Sequence, residues 1–235
     1  MRGCLFVLVF AAAVVAAFAW FGAPLVAATV ISAALENAGY HAATSTVTVT
    51  SNPPPKLLVG RADRVEIGGT DVDFRTFHAA SLDLVLTDVD VVGRTADRIA
   101  GRISGAELTT GDGAATAADI VIDGAARAAD ATIVVGATTV DRVVRATLQR
   151  EFGSVVSSTQ LIAPDTLRIS AAGSTLEGRL IIDGSGAIAL STSLGSVPIF
   201  SLDPSFPLQL RSVRAEGGNL RIDATLDAQA LLGGS

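Results

Sequence analysis

The sequence predicts an α+β fold in which antiparallel β-sheet dominates and an apolar segment leads. Three observations predict it. The chain has 235 residues, and Arg2 is the only charge before Glu36. After Tyr40 most apolar residues alternate with polar ones, the period of strands with one wet and one dry face. Between Thr139 and Phe152 that alternation gives way to a helical stripe.

Met1-Arg2 supplies a positive start, and Leu5 to Trp20 reads LFVLVFAAAVVAAFAW. About 20 apolar residues span a bilayer as a helix, and a run of about 7–15 serves a signal peptide. Ala17-Phe18-Ala19 fits a small-x-small cleavage signal, and Trp20 and Phe21 suit a membrane interface. Residues 1–23 are therefore expected to be a signal peptide or an uncleaved membrane anchor. Positive charge ahead of the segment places the remainder outside the cytoplasm, in the cell envelope. Pro24 can open a second helix, Leu25–Ala38, with Gly39 as its C-terminal cap. One face of that helix, Val26, Val30, Ala33 and Ala34, is apolar.

Residues 24–235 read as a single β-rich domain. Val47 and Val49 alternate with threonines, and Val65 and Ile67 with Arg64 and Glu66. Leu82, Leu84 and Leu86 share one strand face. Leu180 and Ile182, Ile188 and Leu190, and Leu208 and Leu210 continue the pattern, as does the run Leu220, Ile222, Ala224 and Leu226. Gly68-Gly69, Asp183-Gly184 and Glu216-Gly217-Gly218 mark turns. In Ser81–Val91 the apolar parity flips after Leu86, which predicts a bulge or sharp twist near Thr87-Asp88. A long bent strand of this kind suits a sheet that wraps around something. In the helix Thr139–Phe152 the stripe is Val140, Val143, Val144 and Leu148, with Thr138 or Thr139 as cap and Gly153 as stop. Gly111–Asp130, rich in Ala, Gly and Asp, is expected to be a loop or short helix with a weak strand at Ile120–Ile122. Pro53-Pro54-Pro55 is read as a stiff turn.

The net charge of −6, with Lys56 as sole lysine, excludes a nucleic-acid partner of the usual kind, which needs clustered cations. Cys4 is the single cysteine, so no intrachain disulfide forms, and it precedes the apolar run where a lipoprotein cysteine would follow it. His41 and His78 alone offer imidazole, which argues against zinc. No GxSxG elbow, P-loop or SxxK is present. Gly184-Ser185-Gly186 is read as a hairpin turn. Thr70-Asp71-Val72-Asp73 and Thr87-Asp88-Val89-Asp90 repeat a carboxylate pair. Either the pairs solvate a sheet face and discourage edge pairing, or they hold a cation. No cofactor, metal or catalytic group is expected. Pro198-Ile199-Phe200 and Ser205-Phe206-Pro207 fold into the core or form an exposed apolar rim, since proline keeps such a segment out of a central strand. Lys56-Leu57-Leu58-Val59 is a second apolar loop of this sort.

The order of these features resembles the LmeA-like family of phospholipid-binding proteins of bacterial envelopes. The resemblance rests on the N-terminal segment and helix ending at Gly39, and on residues 54–67, which look like the family's proline, Leu-x-Gly-Arg and following strand. It continues through Leu82–Val91, a long aliphatic strand, and through Phe206–Arg214, Gly217-Gly218 and Asn219–Ala224, a closing hairpin. It covers most of residues 25–228, and Gly111–Asp130 departs from it. The resemblance implies a tubular lipid-binding fold, with a curved antiparallel sheet wrapped around one or two helices and an apolar groove. It carries no catalytic residues, and it implies membrane and phospholipid as partners. Candidate groove or membrane-contact residues are Leu57, Leu58, Leu82, Leu84, Leu86, Val144, Leu148, Ile199, Phe200 and Phe206. An acyl chain gains about 0.8 kcal/mol per buried methylene without directional partners, so aliphatic walls suit it. The same residues would serve equally well as a closed core. The expected function is non-catalytic lipid binding in the envelope, in support of lipid or lipoglycan assembly. The alternative is a membrane-tethered module that binds another envelope protein.

Overall fold

The computed structural model describes residues 22–37, 39–74, 77–109, 115–153, 156–171, 174–193, 195–200 and 207–233. The chain opens with helix α1 (Ala23–Asn37), which Gly39 ends with φ 92°. Six strands follow as a meander: β1 (Tyr40–Thr50), β2 (Arg61–Phe74), β3 (Phe77–Asp90), β4 (Arg98–Thr109), β5 (Ala115–Ala125) and β6 (Ala128–Val135). A 3-10 turn, Pro54–Val59, joins β1 to β2. Helix α2 (Ala137–Phe152) then leads into a second meander of β7 (Val156–Ile162), β8 (Thr166–Ala171), β9 (Ser174–Ile182), β10 (Ile188–Thr192) and β11 (Gly195–Phe200). The chain returns to the first sheet as the hairpin β12 (Leu208–Glu216) and β13 (Asn219–Leu226), and ends with a short helix, Ala228–Gly233.

The fold is sheet-dominated α+β with two sheets where alternation alone suggested one. The larger has the order β1-β2-β3-β4-β5-β6-β13-β12 and the smaller β11-β10-β9-β8-β7. Every pairing is antiparallel, as the short connections within the two meanders and the closing hairpin require. Strands β1 and β12 are edges of the larger sheet, so no barrel closes. The β12–β13 turn places Gly217 and Gly218 at φ 59° and 81°, positive dihedrals that match a two-residue hairpin to the strand twist.

The parity flip expected near Thr87-Asp88 is a sharp twist and not an inserted residue. Arg64 pairs with Thr87 and Ala62 with Val89 in the same register, while Asp63 and Asp88 between them leave the ladder. Asp88 takes φ 52°. A left-handed residue turns the strand about its axis, so the residues beyond it present the opposite parity to the core. Aspartate tolerates that region better than most side chains. A second such line crosses four strands through Ala43, Asp71, Ala80 and Gly105, each skipped by the ladder. Asp71 has φ 48° and Gly105 φ 61°. On β2 the buried residues accordingly run Ala62, then Val65 and Ile67, then Val72.

Buried side chains from both sheets and α2 form one apolar cluster. Helix α1 packs on β1 and on the 3-10 turn, and α2 packs on β7, β13, β11 and β5. The α2 stripe Val140, Val143, Val144 and Leu148 is buried as expected, and Gly153 closes the helix at φ 65°. Its N-cap differs from expectation. Gly136 occupies that position without a side-chain bond, and Thr138 and Thr139 lie inside the first turn.

Gly111–Asp130 also differs. The strand expected at Ile120–Ile122 is present, with both residues buried, but in place of the flanking loop or short helix it extends over Ala115–Ala125, paired with β4 from end to end and with β6 from Asp119 on. Alanine and glycine carry little strand propensity, and pairing with β4 and β6 overrides it. The expected N-terminal membrane segment, residues 1–23, lies outside the described residues but for its last two. Among the described residues no helix is long and apolar enough to cross a membrane.

Candidate functional site

Helix α2 lies where the two sheets meet, and its stripe faces a recess walled by apolar side chains from both. Val140, Val143 and Val144 come from α2, Leu180 from β9, Ile188 from β10, Ile199 and Phe200 from β11 and Leu220 from β13. Its free volume is ≈ 10 Å³, about the room one water needs. The lining offers dispersion and water exclusion but no hydrogen bond, so it discriminates alkyl from polar groups and little else.

Two adjacent residues of β11 reach the recess because the register with β10 slips there. Ile188 pairs with Phe200 and Ala189 with Pro198, so Ile199 is extra. A bulge of this kind lets neighbouring residues both turn inward. Ile199 and Phe200 are each 6% exposed. Pro198 sits on an edge strand, where its missing donor is tolerated.

The ten candidate residues do not gather in one place. Val144, Ile199 and Phe200 line the recess, and Leu148 is buried one turn further along α2. Leu82, Leu84 and Leu86 lie on the inner face of β3, within the same apolar cluster. Leu57 packs partly against that cluster, while Leu58 beside it is 62% exposed. Phe206 lies outside the described residues. Alternation marks Leu180, Ile188 and Leu220 only as dry-face positions, because it says which residues face inward but not which sheet they meet.

One buried polar group stands out. Tyr40 is 6% exposed, and its hydroxyl has no hydrogen-bond partner among the described residues. The phenol lies over Gly69 on β2, in space that a Cβ there would fill. No pattern in the sequence marked Tyr40.

Carboxylates elsewhere are engaged in structure. Asp73 Oδ1 lies 2.8 Å from His78 Nδ1 across the β2–β3 pair, and this contact raises the His78 pKa. Asp90 Oδ1 accepts the Gly93 N–H at 2.8 Å. Left-handed Asp71 and Asp88 interrupt the alternation that would set them on one face with Asp73 and Asp90. Among the described residues no group of three or more His, Cys, Asp or Glu could hold a metal. Asp183 Oδ1 accepts from Ser185 N, Ser185 Oγ and Ala187 N, which holds the hairpin turn expected at Gly184-Ser185-Gly186 and lowers the Asp183 pKa. Asp141 Oδ1 accepts from Thr159 N at 3.1 Å and Thr159 Oγ1 at 2.6 Å, and this ties α2 to β7.

Asp223 anchors the outer face of the β12–β13 hairpin. Burial alone would raise its pKa, but hydrogen bonds from Arg214, Ser212 and Arg221 outweigh it and hold the carboxyl at about 2.

A family model described as LmeA-like phospholipid-binding matches residues 18–225. No curated protein and no solved structure matches the chain.

Proposed function

The chain belongs to the LmeA-like phospholipid-binding family, and from this premise we propose that it takes phospholipid acyl chains into its aliphatic interior, without catalysis. The observation that carries the proposal is the all-apolar lining between α2 and the two sheets, whose contacts an alkyl chain replaces once the walls part. The side chains lining its opposing walls are all apolar, so parting β10 and β11 from α2 exchanges one set of apolar contacts for another. On its other side α2 is held to β7 through Asp141 and Thr159. The twist lines through β1–β4, with a helix packed at either end of the larger sheet, support a curved sheet of the tubular lipid-binding kind.

The uncharged residues 3–35 support a place in the cell envelope, outside the cytoplasm, reached through an N-terminal signal or anchor. A role in lipid or lipoglycan assembly follows from that location. The test is mass spectrometry of lipid extracted from the purified protein, followed by exchange with labelled phospholipid. Co-purifying, exchangeable phospholipid supports the proposal. The small free volume of the recess favours a second reading, a tethered module that binds another envelope protein. A lipid-free protein that neither exchanges lipid nor releases it on denaturation supports that reading instead.

A further inference from the structure

Seven large hydrophobic side chains are exposed among the described residues, and six of them belong to three neighbouring elements. Leu58 and Val59 are 62% and 69% exposed on the 3-10 turn, and Val92 is 80% exposed on the β3–β4 turn. The two turns lie side by side. Val91 N donates to Gly60 O at 2.8 Å, and a Cβ on Gly60 would stand 2.6 Å from Val92 Cγ2. Both are built firmly. The left-handed Gly60 donates its N–H back into the 3-10 turn, and Asp90 and Thr95 exchange backbone hydrogen bonds across the other.

Leu25, Val26 and Val30 of α1 supply the other three, at 73%, 54% and 53% exposure. Helix α1 packs with Ala27, Ala28, Ile31 and Leu35 toward the core, which turns the Val26 and Val30 side outward. Its C-terminal end joins β1 through Gly39, so the end that reaches the 3-10 turn beyond Thr50 is its N-terminus. Leu25 and Val26 therefore share one end of the molecule with Leu58, Val59 and Val92. Val30 stands about 6 Å further along the helix axis, within the roughly 5–10 Å that interfacial apolar groups penetrate.

We infer that this end of the molecule docks on an anionic phospholipid bilayer, with the two turns and the outward face of α1 dipping into the interface. The inference rests on the envelope lipid-binding function proposed above and adds the surface that meets the membrane. Chain continuity selects the occupant: the twenty residues Gly3–Gly22 that feed into α1 carry no charge. Kept as the expected anchor, they tether this end to the apolar phase that receives them. Arg61 and Arg94, at the ends of the same turns, are exposed and have no ion-pair partner among the described residues, as contact with anionic headgroups requires. Of the nearby acids, Asp63 is held by Asn52 N–H and Lys56 and Asp90 by Gly93 N–H, while Asp88 and Asp97 stay exposed.

The test labels the full-length chain with an environment-sensitive fluorophore at single cysteines, Leu58→Cys, Val92→Cys or Val121→Cys, each with Cys4→Ser. Val121 is exposed on β5 away from both turns and serves as the control. On vesicles containing phosphatidylglycerol, labels at 58 and 92 should shift to the blue and be quenched by a lipid-borne quencher, and the label at 121 should do neither. Water-exposed labels at 58 and 92 on vesicle-bound protein overturn the inference, as does shielding of both without vesicles, which means a protein partner or second copy. Lipid extracted from the same unlabelled protein is measured separately, so a lipid-loaded protein with a dry tip is distinguished from an empty protein with an embedded one.

Discussion

Tyr40 and Gly69 interlock across two neighbouring strands: the phenolic oxygen of one occupies the space that a side chain on the other would need. Gly69→Ala must displace the ring or bend β2, because Val72 Cγ2 also stands 2.9 Å from the new methyl. Overpacking of this kind costs roughly 1–3 kcal/mol. Urea unfolding should show that loss, and adding Tyr40→Ala should make the two changes clearly non-additive.

The same phenol yields a second prediction with the opposite sign. A buried hydroxyl without a partner costs about 1–3 kcal/mol of desolvation. Tyr40→Phe should therefore leave lipid-free protein as stable or up to about 1 kcal/mol more stable by urea unfolding. A clear loss of stability would mean that the hydroxyl has a bound partner after all.

Phe200 and Leu58 should respond differently to truncation. Phe200 is 6% exposed and Leu58 62%. Phe200→Ala should cost about 3–5 kcal/mol as a core change. Leu58→Ser should stay within about 0.5 kcal/mol as a surface change. Thermal or urea unfolding of both variants checks the contrast.

Asp223 sets an acid limit on stability. Its folded pKa of about 2 lies below the ordinary 3.8, so in that interval the unfolded chain binds the proton more readily and falling pH favours unfolding. The stabilisation is fully present above about pH 4 and is lost as pH falls through the folded value. A shift near two units corresponds to about 2 kcal/mol. Asp223→Asn should remove that amount at pH 7 and flatten the slope of stability between pH 4 and 2.

Much of the fold is legible in the sequence because its signals are local. The turn of Gly217-Gly218, the stripe of Val140, Val143, Val144 and Leu148, and the alternation of Leu220 to Leu226 each report one element directly. The family resemblance is legible for the same reason, since it follows the order of those elements. The parity change after Leu86 even located the twist at Asp88, although a left-handed aspartate achieves it without an inserted residue. Other features depend on distant partners. At Ala115–Ala118 strand β5 is held by β4 against low propensity. The division into two sheets turns on which dry faces meet, and Leu180, Ile188 and Leu220 carry no mark of facing α2. Tyr40 is distinguished only by what surrounds it.

The central claim is that acyl chains enter between α2 and the sheets. A phospholipid carrying a photoreactive group at its chain terminus, exchanged into the full-length protein and irradiated, tests it most directly when peptides are mapped by mass spectrometry. The account predicts crosslinks within Ala137–Phe152 and within Ile188–Phe200, where Val144, Ile188, Ile199 and Phe200 line the recess. Crosslinks confined to Leu25–Val30, Leu58-Val59 and Val92 would contradict it, because lipid would then touch the outside of the molecule and never its interior.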